Sequence, residues 1–88
     1  VYLTGSELEA IPQRCIEELR ECLNEQQIEL TVGKSIIYDA ESLMQMAKVR
    51  NAVLMEVEEK SKCEEIAKEL NLCIQNQVQV IGVILTKN

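Results

Sequence analysis

Apolar and polar positions along this chain switch repeatedly between the repeat of a strand and the repeat of a helix. Residues Val1–Thr4 are β-prone and end at Gly5. A set of apolar residues then recurs at helical spacing, which predicts a one-sided helix that ends between Asn24 and Gln27. This stripe consists of Cys15, Ile16, Leu19, Cys22 and Leu23.

Two signals compete for the start of that helix. Ser6 followed by Glu9 fits the pattern of a capping box. Pro12 is instead typical of a first helical turn, which favours a start near Ile11.

The middle of the chain predicts a second strand and a second helix. Residues Ile28–Val32 alternate apolar and polar positions, as a half-buried strand does. Ser35–Tyr38 is also β-prone, so either a hairpin turns at Gly33-Lys34 or the strand is followed by a loop, and we favour the loop. Asp39 can cap a helix from about Ala40 to Arg50, with Leu43, Met44 and Ala47 on its buried side.

The last third of the chain repeats the alternation. Ala52–Val57 contains a continuous apolar run, which is typical of a strand covered on both faces. A helix follows, and then a strong strand from Val78 to Leu85, in which Gly82 indicates close approach of another backbone. The helix carries a predicted buried stripe of Cys63, Ile66, Ala67, Leu70 and Cys73.

The order β-α-β-α-β-α-β predicts a small α/β domain, with a parallel sheet of about four strands and helices on its faces. All 88 residues fit one domain, residues 1–88. Because the chain starts at Val1 without an initiator Met, we expect it to be a fragment of a longer protein.

Charge and composition narrow the functional classes. The net charge of −6 disfavours direct contact with nucleic acid or an anionic membrane, since both attract clustered Lys and Arg. With no His in the chain, a His general base and His metal ligation are excluded. The four cysteines form no C-x-x-C pair, and their helical positions predict buried free thiols in a reducing compartment.

Several short motifs have a functional and a structural interpretation. Gly33-Lys34-Ser35 resembles the end of a phosphate-binding loop, but Ile28 stands where the first glycine of G-x-x-x-x-G-K-[ST] would lie. A turn therefore explains these residues better. Asp39 and Glu41 follow a strand-like segment where ligands often bind, although capping by Asp39 is sufficient to explain that residue.

The remaining candidates also favour structural roles. Glu56, Glu58 and Glu59 have the ligand atoms of a cation site, but a solvated strand end explains them better. Met44, Met46 and Met55 are predicted in or near the core, and Tyr2 and Tyr38 are predicted to pack. The sequence therefore predicts no catalytic residue, no cofactor-binding residue, no metal ligand and no cofactor.

Taken in order, the segments resemble the C-terminal half of the bacterial tyrosine kinases that regulate capsular and exopolysaccharide synthesis. The similarity lies in a short strand ending at Gly5, the helix around residues 16–23, and the strand Ile28–Val32 at the Walker B position. It continues through residues 39–43, 52–57 and 80–88. It implies a Rossmann-like half domain of the P-loop NTPase type.

The chain differs from that family at the positions of the family's nucleotide- and magnesium-binding residues. The Walker B strand should end in Asp, but here it ends Thr31-Val32-Gly33, with no carboxylate to hold magnesium. Thr86 stands where the family carries its adenine-side Asn, and the phosphate-binding loop and tyrosine-rich tail are not present in this sequence. The resemblance implies a degenerate relative that keeps the scaffold without the site.

These observations lead to a hypothesis and two competitors. We expect a non-catalytic interaction or regulatory domain that lies in the cytoplasm and forms part of a larger polysaccharide chain-length protein. A membrane-anchored parent protein is compatible with this hypothesis. The expected partner is another protein, and self-association as a dimer is one form of it. One competitor is part of an ATP-dependent tyrosine kinase or related P-loop ATPase. The other is a stand-alone response-regulator-like or flavodoxin-like module, which is weakened because no acidic cluster follows the first strand.

Overall fold

The computed structural model describes residues 1–87 and contains a sheet of four parallel strands connected by three α-helices. The predicted α/β class and the alternation of strands and helices are confirmed. The strands are β1 (Tyr2–Thr4), β2 (Thr31–Val32), β3 (Asn51–Val57) and β4 (Gln79–Thr86), in the spatial order β2-β1-β3-β4. The helices are α1 (Gln13–Glu25), α2 (Ala40–Val49) and α3 (Cys63–Gln75).

The sheet separates two aliphatic cores, because successive side chains of a strand point to opposite faces. On one face, Leu3 and Val53 pack in a cluster with Ile16 of α1. On the other face, Tyr2 and Ala52 pack in a cluster that includes residues of α2 and α3. Helix α1 therefore covers one face, and α2 and α3 cover the other.

The second strand is shorter than the pattern of Ile28–Val32 predicts. Only Thr31 and Val32 pair with β1. Helix α1 ends at Glu25, and the chain leaves it through Gln27, which adopts a φ of 61°, and Ile28, whose N–H donates to the Leu23 carbonyl over 2.8 Å. Ile28 is therefore tied to the end of α1 and does not start the strand. Beyond β2, residues 36–38 form a turn, so the loop is confirmed and the hairpin is wrong.

The start of α1 follows the proline signal rather than the serine signal. The helix begins at Gln13, directly after Pro12, and a short 3-10 turn over Leu8–Ala10 precedes it. Ser6 caps no helix, because its hydroxyl and its N–H both donate to the carboxylate of Glu56. The capping-box prediction is wrong for this reason.

Helix α3 buries a different stripe from the one that its apolar residues predict. Glu69 and Cys73 are fully buried, whereas Cys63, Ala67 and Leu70 are exposed. Tyr38 donates a hydrogen bond to Glu65, and Leu72 packs in the cluster of α2, so that flank of the helix faces α2. The exposed stripe of Cys63, Ala67, Leu70 and Ile74 lies on the opposite flank of the helix.

The prediction of buried thiols holds for only one cysteine. Cys73 is buried, Cys15 is half-buried, and Cys22 and Cys63 are exposed, with all four thiols free. Among the methionines, Met46 and Met55 are buried as predicted, but Met44 is 63% exposed on the outer side of α2.

The close backbone approach expected at Gly82 occurs at Gly5 instead. A Cβ atom added to Gly5 would lie 2.0 Å from the carbonyl oxygen of Met55, well inside the sum of van der Waals radii. A Cβ at Gly82 would meet no atom within 4 Å. Strand β1 thus requires glycine at its carboxyl end because the backbone of β3 passes directly beside it.

The two glycines predict opposite outcomes for the same substitution. We expect Gly5→Ala to lower the free energy of unfolding by about 2–3 kcal/mol, since the clash is with backbone that cannot rotate away. The matched Gly82→Ala is expected to be neutral or to stabilise by up to ~1 kcal/mol, because it restricts the unfolded chain. Urea unfolding of both variants measures this, and equal effects would contradict the assignment of the close approach.

Candidate functional site

A cleft of about 600 Å³ opens beyond the carboxyl ends of β1 and β2. In open parallel sheets this end of the strands is where ligands bind, next to the point where the strand order reverses. The chain runs from β1 to β2 on one side and returns to β3 on the other, so the cleft lies beside that reversal. Its walls are residues 5–9 after β1, Gln13 and Ile16 of α1, and residues 32–35, 38 and 39 after β2.

The motif Gly33-Lys34-Ser35 lies in the wall of this cleft but has no phosphate cradle. The Gly33 N–H donates to the Leu3 carbonyl over 2.9 Å, and the Lys34 N–H donates to the Ser42 hydroxyl over 3.0 Å. A phosphate cradle needs backbone N–H groups that point at the ligand, and these two are used within the fold. The turn interpretation of the motif is therefore the better one.

The charge of the cleft also opposes a phosphate. Its lining carries the carboxylates of Glu7, Glu9 and Asp39 and a single cationic group, on Lys34. An anionic ligand would have to enter against an excess of negative charge, in contrast to the basic lining of phosphate sites.

Asp39 is a helix cap, as the sequence predicts. Its Oδ2 accepts hydrogen bonds from the Ser42 N–H at 3.2 Å and the Ser42 hydroxyl at 2.6 Å. The hydrogen bond from the Ser42 side chain lowers the pKa of Asp39, aided by the backbone bond and the charge of Lys34. Glu41, in the first turn of the same helix, is exposed.

The two tyrosines differ in their surroundings. Tyr2 is fully buried, and its hydroxyl donates to Oε1 of Gln45 over 3.0 Å, so it packs as predicted. Tyr38 is 73% exposed at the rim of the cleft. Its hydrogen bond to Glu65, together with the charge of that carboxylate, raises the pKa of Tyr38.

Glu56 is buried at the carboxyl end of β3, which the sequence interpretation of a solvated strand end did not predict. Its two oxygens accept the Ser6 N–H at 3.2 and 3.3 Å, and Oε2 also accepts the Ser6 hydroxyl at 3.0 Å. The Ser61 hydroxyl lies 3.1 Å from that of Ser6 and accepts the Val57 N–H. Glu58 and Glu59 are exposed, as a solvated strand end requires.

A second carboxyl group, that of Glu69 on α3, lies against Glu56. Glu69 is fully buried, and neither of its oxygens has a hydrogen-bond partner when both groups are ionised, since two carboxylates can only accept. A proton on Glu69 makes it a donor towards Glu56. Burial first, then the hydrogen bond and charge of Glu56, and finally the charge of Glu65 raise the pKa of Glu69 to about 9.

This carboxyl pair is the feature that sequence reasoning missed. The signal was present in the periodicity of α3, because position 69 lies three residues after Ile66 and four before Cys73 on the inward side. The pair does not amount to a metal centre: among residues 1–87, no three Cys, Asp or Glu side chains are grouped closely enough to hold a metal ion.

Comparison of the chain with protein-family models, with curated proteins and with solved structures finds no match. Within the described part of the chain, no helix is long and apolar enough to cross a membrane.

The buried pair predicts a specific pH dependence of stability. The pKa of Glu69 is higher in the folded than in the unfolded chain, so its contribution is fully present below the unfolded value of 4.5 and is lost as pH rises towards about 9. We expect the wild-type free energy of unfolding to fall by up to ~1.4 kcal/mol per pH unit because of this group. Glu69→Gln should remove that slope and be the more stable protein at neutral pH.

Urea unfolding of both proteins across the pH range measures the difference. Glu64→Gln, which removes one charge from an exposed position of the same helix, is the matched control and should keep the wild-type slope. A wild-type slope that survives in Glu69→Gln would contradict the assignment.

Proposed function

We propose that this chain is a non-catalytic interaction or regulatory domain, and that it forms the cytoplasmic part of a capsular or exopolysaccharide synthesis protein that governs chain length. The observation that carries the non-catalytic part is the bond between Ser6 and Glu56. The polysaccharide context is supported by the sequence resemblance alone.

The loop between β1 and α1 follows a strand and precedes a helix, which is the local order in which phosphate-binding loops occur. In this protein an internal carboxylate takes the N–H and hydroxyl of Ser6, which are the kind of donors that a phosphate oxygen would use. Glu7 and Glu9 on the same loop add negative charge beside it. The carboxylate of Glu56 thus already occupies these donors at the carboxyl end of the sheet.

Catalytic chemistry by another route also lacks support. The Ser35 hydroxyl lies in the cleft, but in the described structure it accepts the Ile37 N–H and has no basic partner to activate it. Asp39 serves as a helix cap with a lowered pKa, so it is poorly suited to act as a general base near neutral pH.

We expect isothermal titration of the chain with ATP and magnesium to show no binding up to millimolar nucleotide. The reason is that the loop after β1 offers carboxylates where the triphosphate would need donors. Saturable micromolar binding that is lost in Lys34→Ala, the one cationic position in the cleft, would contradict the non-catalytic proposal and favour part of an ATP-dependent kinase.

The polysaccharide context has its own test in the parent protein. Removing this segment should shift the length distribution of the polysaccharide on a gel while synthesis continues. The reason is that a regulatory domain controls how long the polymer becomes and does not catalyse its synthesis. Complete loss of polymer, with the truncated parent still present in the cell, would instead indicate an essential catalytic part.

We also propose that the partner includes a second copy of this chain, joined through β4. This strand has one unpaired edge in the described sheet, and none of its eight residues is charged. Val83 and Leu85 are 53% and 62% exposed. Exposed uncharged strand edges pair readily, and an antiparallel pair centred on Val83 sets Ile81 of each copy opposite Leu85 of the other.

The dimer proposal predicts a particle of about twice the 10.0 kDa chain mass in light scattering at micromolar concentration. Val83→Lys should return it to the chain mass, because two like charges would face each other at the centre of the pair. Met44→Lys introduces the same charge at a position on α2 that is 63% exposed, compared with 53% for Val83, and should leave the dimer intact. A wild-type protein of the single chain mass would contradict the proposal.

A further inference from the structure

The two carboxyl groups of the buried pair are held very differently. Glu56 is fixed by donors from Ser6 and belongs to a strand at the centre of the sheet. Glu69 is fully buried, and neither of its oxygens has a hydrogen-bond partner within residues 1–87. If the pair loses its proton, Glu69 is therefore the group that has to move, and it can reach water only by moving with α3 or swinging out from under it.

We propose that one proton shared by Glu56 and Glu69 fastens α3 to the carboxyl end of β3, and that loss of this proton releases the helix locally while the sheet stays folded. The proton leaves to solvent hydroxide, and the two neighbouring carboxylates then repel each other in a site with little water.

The groups around the pair reinforce the effect. On α3 itself, the charge of Glu65 disfavours ionisation of Glu69, and the charge of Glu69 in turn helps burial to raise the pKa of Cys73. From β3 the facing group is Glu56, whose carboxylate accepts the Ser6 hydroxyl, and the Ser61 hydroxyl lies beside that of Ser6. The one ion pair within residues 1–87 joins Arg20 to Glu17 on α1, so no salt bridge offsets the carboxyl charges.

Release of α3 would also break contacts at the rim of the cleft and at α2. Glu65 accepts the hydroxyl of Tyr38 at the rim of the cleft, so the rim loses a hydrogen bond when the helix moves. Cys73 packs against Met46 of α2, with its thiol 3.9 Å from the thioether sulfur. The proton therefore couples the position of α3 to the shape of the cleft without any residue of the pair lining it.

Native-state hydrogen exchange in low urea tests the proposal on the intact chain. Local opening exposes little surface, so the exchange of α3 amides should be insensitive to low urea, whereas β3 amides should follow urea as global unfolding does. After correction for the intrinsic pH dependence of exchange, the opening constant of α3 should rise about tenfold per pH unit between about pH 5 and 9.

Glu69→Gln provides the decisive comparison, because a glutamine amide donates to Glu56 at every pH. In this variant the α3 opening constant should no longer change with pH, while Glu64→Gln should behave like the wild type. The proposal is overturned if α3 amides depend on urea as steeply as β3 amides, since release would then be global. It is equally overturned if the pH dependence persists in Glu69→Gln or is missing from the wild type.

Discussion

The carboxylate of Glu56 joins three parts of this small fold at one point. It extends from the central strand β3, accepts two donors of Ser6 on the loop after β1, and contacts Glu69 on α3. The loop after β1 forms one wall of the cleft. The hydrogen bonds between Ser6 and Glu56 therefore also determine which donors remain available to a ligand at the carboxyl end of the sheet. The proposed function and the proposed release of α3 both depend on the carboxylate of Glu56.

Burying two carboxyl groups is costly for a chain of 88 residues. Burial of an ionised carboxylate costs several kcal/mol of hydration free energy, which is on the order of the whole free energy of unfolding of a small domain. Buried carboxyl groups therefore tend to be protonated. A single proton held between Glu56 and Glu69 reduces that cost, and the hydrogen-bond donors of Ser6 stabilise the remaining negative charge on Glu56. An apolar residue at position 69 would give a more stable helix, which is why we interpret the pair as a functional feature.

Much of the fold was predictable from the sequence because periodicity reports directly on burial. The continuous run at residues 52–57 is buried as the pattern predicts, and the stripe of α1 is buried or half-buried apart from the exposed Cys22. The errors arose where a tertiary contact overrode a local signal. Ser6 left its predicted cap to bind Glu56, and α3 turned so that Glu69 rather than Leu70 faces the sheet. The cap at Asp39 needed only local residues and was predicted correctly.

The state of the Ser6 donors tests the central claim most directly, because the account requires that an internal carboxylate occupies them at all times. The measurement is an amide NMR titration of the chain with magnesium ATP, following the Ser6 and Gly33 N–H signals. We predict that both signals stay fixed throughout the titration, since neither group is free to donate to a phosphate. A saturable shift of the Ser6 signal, accompanied by a change in the carboxyl signal of Glu56, would show that nucleotide displaces the internal carboxylate and would contradict the account.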